Sequence, residues 1–362
     1  MVDLSTPSKA TLLRILDRAR WAPSGDNTQP WRFEIVADDQ LVVHGHDTRD
    51  EILYDFDGHA SHMAHGALLE TMRIAASAEG LAMSWQAESD LEWRRIKYIV
   101  KFTQSPEIET DPLSQFVEQR TVQRRPMKMT SLSPAQRQAL GGAAGDGYTV
   151  QLFENISEKK AIAKLLWDNA HIRLSCPEAF PVHQSIIEWG ARYSKDRIPE
   201  QAVGVDPMTA KLMRWVMQSW RRVEFFNRYL MGTVAPRIQL DFLPALMCAA
   251  HLLIKPKVKP TCLEDWVALG SAMQRVWLTT TLLGLHLQPE MTPVIFRWYA
   301  RANRRFSVRP EFADKALSLA GQFERIAGAS ELQSFGFFCR IGVSPVPKSR
   351  SVRWGLDELL SR

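Results

Sequence analysis

Four groups of residues in this 362-residue sequence are of types that can do chemistry. The first is the run Ala22-Pro23-Ser24-Gly25-Asp26-Asn27-Thr28-Gln29-Pro30-Trp31. Asn27 and Gln29 each offer amide donors and an acceptor, Pro23 and Pro30 stiffen the chain, and Ser24-Gly25 permits close backbone approach to a ligand. A run this dense in turn residues also serves as a plain connector between a helix and a strand. The second group is Arg120-Thr121-Val122-Gln123-Arg124-Arg125-Pro126-Met127, which taken alone reads as a solvated basic turn. The third is His59, His62 and His65, recurring every third residue on one broad helical face. Imidazoles invite a metal-site reading, but the spacing is not the usual i, i+4 pair, and Asp55 and Asp57 precede the helix. A polar surface or interface stripe is the expectation there. The fourth, His44 and His46, faces one way along a strand without a third ligand and is expected to meet solvent. No Ser–His–Asp or Cys–His set is apparent, and there is no G-x-G-x-x-G to support a dinucleotide-binding Rossmann unit.

The totals narrow the class. A chain that is 45% hydrophobic and 23% charged is an ordinary globular composition. The net charge of +5 is mild and spread along the chain, which suits an anionic ligand better than nucleic acid. Cys176, Cys248, Cys262 and Cys339 are far apart and form no CxxC pair, which fits a reducing compartment. The N-terminus has acidic residues and no apolar signal region. The most apolar stretch, Leu243 to Ile254, is too short to span a bilayer. A cytoplasmic protein without stable membrane insertion is expected.

The elements that must position these groups follow from periodicity. Thr6–Arg20 reads as an amphipathic helix, Arg32–Val36 and Leu41–Gly45 as a hairpin, Ala60–Glu79 as a helix ending at Gly80, and Arg95–Phe102 as a strand. Thr103 to Pro112 is the candidate linker. After it come a short helix to Gln119, a helix at Ser133–Leu140, a strand at Tyr148–Phe153, and helical patterns over most of Glu158 to Leu230. A strand at Ala245–Ile254, helices at Leu263–Leu283 and Glu311–Ile326, and a strand at Phe335–Ile341 complete the order.

Two stretches repeat without gaps. Gly25-Asp26-Asn27 stands eight residues before Phe33, as Gly145-Asp146-Gly147 stands eight before Phe153. The helix Gly66–Gly80-Leu81 has the spacing of Gly270–Gly284-Leu285. Their common order points to an internal duplication.

The segment Ala22 to Phe33 resembles the flavin-contacting loop of the nitroreductase family, which typically reads A-P-S-x-x-N-x-Q-P-W-x-F. Three further elements are similar to that family. Arg120 and Arg124 match an Arg-x-Ser/Thr-x-Arg run, although Val122 occupies the usual hydroxyl position. Leu283 to Thr292 resembles the segment whose backbone amide reaches the flavin N5. The ending Cys339-Arg340-Ile341-Gly342-Val343, followed by Ser349 to Arg353, resembles a strand and a basic residue that helps hold the FMN phosphate.

The resemblance implies an α+β fold of two fused half-units, residues 1–105 and 106–362, each a mainly antiparallel sheet flanked by helices. It implies an inserted helical segment at about 161–237 in the second half. The implied cofactor is FMN, with NADH or NADPH as electron donor. The implied contacts are Pro23, Ser24, Gly25, Asn27, Gln29, Arg120, Arg124, Gln288, Pro289, Glu290, Arg350 and Arg353, with Pro289, Glu290, Met291 and Thr292 near N5. Paired arginines suit a phosphate because the guanidinium is a planar bidentate donor. Family pockets combine the Pro-rich loop of one subunit with the arginines and N5 loop of another. Here the first half keeps the loop and the second half keeps the rest, so one complete pocket is expected within an internal pseudo-dimer, open to further homodimerisation.

The implied activity is hydride transfer from NAD(P)H through flavin to a small organic acceptor such as a nitroaromatic or quinone. The alternative is a storage or sensor protein whose flavin lies beneath a lid. Leu212 to Leu230, rich in arginine and aromatics, is open to three readings: an ordinary packed helix, that lid, or a membrane-surface helix.

Overall fold

The computed structural model describes residues 7–361; the reading of residues 1–6, including Thr6 as a helix start, lies outside them. In the first unit, α1 (Lys9–Ala19) begins where the Ser8 hydroxyl accepts from Thr11 N–H at 3.2 Å. It is followed by β1 (Trp31–Ala37), β2 (Gln40–His46), α2 (His59–Ser77), β3 (Leu81–Ser89) and β4 (Arg95–Gln104). The four strands form one antiparallel sheet in the order β1-β2-β4-β3. Alternation sets its buried face: Trp31 and Phe33 of β1 and Ile96, Tyr98, Val100 and Phe102 of β4 point inward.

In the second unit, α3 (Pro134–Ala143) starts with a capping box between Ser133 and Gln136 and leads to β5 (Tyr148–Phe153). A long connection then carries α4 (Ile156–Ser175), α5 (Ala179–Ile186), α6 (Pro207–Val216) and α7 (Trp220–Tyr229). After it come β6 (Ala250–Pro256), α8 (Leu263–Leu282), β7 (His286–Pro289), α9 (Thr292–Arg301), α10 (Pro310–Ala327) and β8 (Phe337–Gly342). The second sheet is also antiparallel and runs β7-β8-β6-β5. Both sheets therefore have the first strand of the unit at one edge, the second beside it, then the fourth, with the third at the far edge. In both, the long helix joins the second strand to the third.

The units meet where α2 crosses α8. A Cβ on Gly66 would stand 1.9 Å from the Val267 carbonyl oxygen, and one on Gly270 would stand 2.0 Å from that of Met63. Each glycine thus faces the residue three positions before the other glycine, a reciprocal contact about a local two-fold. Gln274 Nε2 donates to the Thr71 hydroxyl at 2.9 Å beside the crossing. Gly80 and Gly284 end the two helices with φ of 69° and 71°, a region that favours glycine.

The tail returns to the first unit. Leu360 forms a parallel bridge with Phe33, Ser361 N–H donates to the Phe33 carbonyl at 2.7 Å, and Leu359 joins the first core.

Several expectations are corrected. Met83 to Ser89 belongs to β3, which sequence periodicity did not separate from its surroundings. Strand β6 starts at Ala250; Leu243–Leu246 is a helical turn. Leu212 to Leu230 is two helices, broken where Ser219 caps α7. The expected insert begins within α4, whose Ile162, Leu165 and Leu166 are core residues. The three histidines of α2 form no solvent-facing stripe: His62 and His65 are fully buried, and only His59 meets the other unit, stacked on Trp266 of α8 with ring centroids 3.6 Å apart. Burial lowers His59 and His65 to about 3, so both are neutral. His65 Nε2 lies 2.9 Å from the Pro30 carbonyl. Among the described residues no His, Cys, Asp or Glu cluster is placed to hold a metal ion.

Candidate functional site

The turn after α1 is held in a conformation that its side chains enforce. Asp26, Asn27 and Gln29 have φ of 49°, 67° and 49°, uncommon for residues with a Cβ. The Ser24 hydroxyl accepts from Gln29 N–H at 2.9 Å. Gln29 is a brace: its Nε2 donates to the carbonyls of Asn27 at 3.0 Å and Lys195 at 2.8 Å, and its Oε1 accepts from Trp354 N–H at 3.0 Å. Asn27 Nδ2 donates to the Val352 carbonyl at 3.1 Å, leaving Oδ1 buried without a partner.

This turn forms one wall of a cavity of about 430 Å³, within the range of small-molecule sites. Pro23, Ser24, Gly25, Asn27, Arg120, Arg124, Gln288 to Thr292, Arg350 and Arg353 all line it. Of the expected contacts, only Gln29 is not brought there; its amide is already spent on backbone.

Three of the arginines are unusual. Arg120 is 2% exposed, donates from Nη2 to the Trp21 carbonyl at 3.1 Å, and lies 4.5 Å from the Trp277 ring centroid. Arg353 donates from Nε to the Ala22 carbonyl at 3.1 Å, and Arg350 from Nη1 to the Glu118 carbonyl at 2.9 Å. None of the three forms an ion pair among the described residues. Burial, reinforced by Arg353 and Arg350, holds Arg120 well below the usual guanidinium range. Burial and the neighbouring Arg350 and Arg20 bring Arg353 to about 9. Like charges such as Arg120 and Arg353, buried together without an ion-paired carboxylate, are costly unless an anion joins them. Nε of Arg120 and of Arg350 are buried and unpartnered.

The segment after β7 is fixed from beneath. Glu290 N–H donates to the Phe338 carbonyl at 2.8 Å. Its carboxylate lies 2.7 Å from His251 Nδ1 and 3.0 Å from Arg340 Nη1. Arg340 Nη2 in turn donates to the Arg124 carbonyl at 2.7 Å. Burial alone would lower His251, but the Glu290 carboxylate raises it to about 10; His251 and Arg340 outweigh burial and lower Glu290. Glu290 is thus a tether for its loop. Gln288 Oε1 is buried without a partner beside it.

The far end of the cavity was not anticipated from sequence. Tyr54 Oη lies 2.8 Å from His183 Nε2, and burial lowers His183 to about 3. Arg173 pairs with Asp241 at 2.9 Å. Burial raises Asp26, against the pull of Arg124 and Arg173. Met213 of α6 and Met217 just beyond its end, with Ile198, Val203 and Leu240, supply apolar wall from the long connection. Arg340, placed in the apolar strand Phe337–Gly342, carried the one sequence signal that could have marked a buried ionic site.

A fold of two antiparallel α+β units around one cavity is joined here by a family match. Residues 3–56 match the model of the Nitroreductase family, a span that contains the whole turn from Ala22 to Trp31. The match covers this N-terminal segment and ends at residue 56. A protein of Mycobacterium tuberculosis (strain CDC 1551 / Oshkosh), described as uncharacterized protein MT1398, is 25% identical over 346 residues, 93% of this chain. The present chain spans about half of that relative, 47% of its length. Similar solved structures include the FMN-dependent nitroreductase NfnB from Mycobacterium smegmatis in complex with NADPH. It is 14% identical, with 69% of this chain and 97% of that chain covered at a TM-score of 0.37. Another is a nitroreductase with bound FMN from Desulfitobacterium hafniense DCB-2, 14% identical, with 67% and 94% covered at a TM-score of 0.34.

Proposed function

We propose that the cavity holds FMN and that the chain is a flavin-dependent oxidoreductase of the nitroreductase kind, using NADH or NADPH and a small organic acceptor. The observation that carries this reading is the trio Arg120, Arg350 and Arg353, the first and last buried and Arg350 half-buried, with no ion pair among the described residues, on the cavity that the family-matched turn also lines.

The residues present fit the group. The three guanidiniums would take its phosphate, since each is a bidentate donor in a dry site. Asn27 Oδ1 and Gln288 Oε1, both buried and unpartnered, would accept from the polar edge of its ring. The backbone from Pro289 to Thr292, anchored through Glu290, would lie along the ring. When bound, the flavin supplies hydride acceptance and delivery. The chain's part is to neutralise charge, orient the ring and exclude water.

The matched topologies of the two units and the reciprocal glycines support a duplicated single chain that forms one site as an internal pseudo-dimer. The four cysteines are free, which suits the reducing cytoplasm. A second reading, a storage or sensor protein, draws on the wall contributed by α6 and its neighbours, which would cover a bound ring.

The test is an absorbance spectrum of the purified protein, then anaerobic addition of NADPH or NADH. Flavin bands that bleach establish the oxidoreductase. Bands that persist with both donors favour storage. A protein that takes up no FMN when it is supplied would sink both readings.

A further inference from the structure

We infer that the α6–α7 face is a docking surface for an anionic lipid bilayer, on which the protein sits without inserting a helix. Among the described residues no helix is long and apolar enough to cross a membrane, so the contact would be peripheral.

The face is unusual in what it shows to water. On α6, Met208, Leu212 and Trp215 follow i, i+4, i+7 spacing along one stripe, and on α7, Phe225 and Tyr229 follow i, i+4. Leu212, Trp215, Phe225, Tyr229, Leu230 and Met231 are between 48 and 71% exposed. Only Ala210 in α6 and Val223 in α7 are buried, so this aromatic content is not spent on the core. The two helices are held together at the surface: Trp215 meets Phe226 edge-on at 5.8 Å, and Arg222 lies 4.4 Å from the Trp215 ring centroid.

Charge selects the occupant. Residues 207–231 contain five cations, Lys211, Arg214, Arg221, Arg222 and Arg228, and one acid, Glu224. That acid is already paired with Arg309 at 2.7 Å. Interleaved cations and exposed aromatics match a bilayer surface, whose anionic headgroups and acyl boundary offer both partners at one depth. A second copy of the chain fits less well, because a two-fold contact of this face would set guanidinium against guanidinium.

The test is sedimentation of the full chain with vesicles of equal phosphatidylglycerol and phosphatidylcholine, against pure phosphatidylcholine vesicles, at low and high salt. Binding is expected only to the anionic vesicles and is expected to fall with salt. The double variant R221E/R228E should bind about tenfold more weakly or worse, and F225S/Y229S should also lose binding. Unchanged melting curves would show that both variants fold. No binding of the wild type to anionic vesicles, or wild-type binding by both folded variants, would overturn the inference. So would a wild-type dimer in solution that F225S/Y229S converts to a monomer, since the face would then belong to a second copy.

Discussion

The first unit connects its strands economically, whereas the second carries the same strand order with long additions. Between β3 and β4 lie five residues, 90–94; between the corresponding β7 and β8 lie two helices, α9 and α10. Between β5 and β6 lie α4 to α7 and several shorter helical turns, where β1 and β2 are joined by Asp38 and Asp39 alone. The sheets and the α2–α8 crossing show how much of the architecture survives such additions. The cavity shows what the additions change. The first unit supplies the amide-bearing turn and, with Tyr54 and Met63, part of the wall; the second supplies most of the remaining wall and, with the flanking segments, the cations. Gly145 to Gly147, at the second unit's counterpart of that turn, are absent from the cavity wall. Shape repeats, while chemistry lies where the repeats differ.

The largest expected effect tests the symmetry of the crossing. Gly66→Ala and Gly270→Ala should each cost about 3 kcal/mol or more, at the upper end of overpacking, because each new methyl meets backbone. Urea denaturation that finds one variant near wild type would break the two-fold relation. Next in size, Arg120→Met should weaken FMN binding about 10- to 100-fold, as expected for a charged hydrogen bond of ~1.5–3 kcal/mol. The same variant should stabilise the flavin-free protein by relieving like-charge burial, so opposite signs in a fluorescence titration and a melt are the signature. A third test concerns the ionic tether of the second sheet. His251 is raised from 6.5 to about 10, so its contribution is full below pH 6.5 and is lost as pH rises through about 10. Stability of the wild type relative to His251→Asn should therefore shrink between those limits, and a constant difference would remove the tether. The smallest effect compares equivalent helices. Ser133→Ala should cost about 1 kcal/mol, and Ser8→Ala less, because only Ser133 belongs to a capping box.

Local signals were legible. The spacing of Tyr148–Phe153 and Leu263–Leu283 located β5 and α8 to within a residue, and Gly80 and Gly284 marked the helix ends. The turn from Ala22 to Trp31 stood out by composition alone. What failed depended on neighbours distant in sequence. Helix α2 is covered on nearly every side by its own sheet and by α8, so its histidines lack the amphipathic contrast that would have revealed their burial. Gln29 carries a ligand-type side chain, but Lys195 and Trp354, far along the chain, claim it. Tyr54 and His183 meet across 129 positions, and no local pattern announces such a pair.

The bracing of the Ala22 turn by the tail also sets a timetable for synthesis. Arg353 reaches the Ala22 carbonyl across 331 positions, and Val352, Trp354 and Leu360 close on Asn27, Gln29 and Phe33. At ~5–20 residues per second, roughly 20 to 60 s separate the making of the turn from that of its braces. Both sheets can be complete while the cradle still lacks two of its three arginines. Closure of the cavity around the Ala22 turn is therefore a late event, which waits until Arg350 and Arg353 have been made.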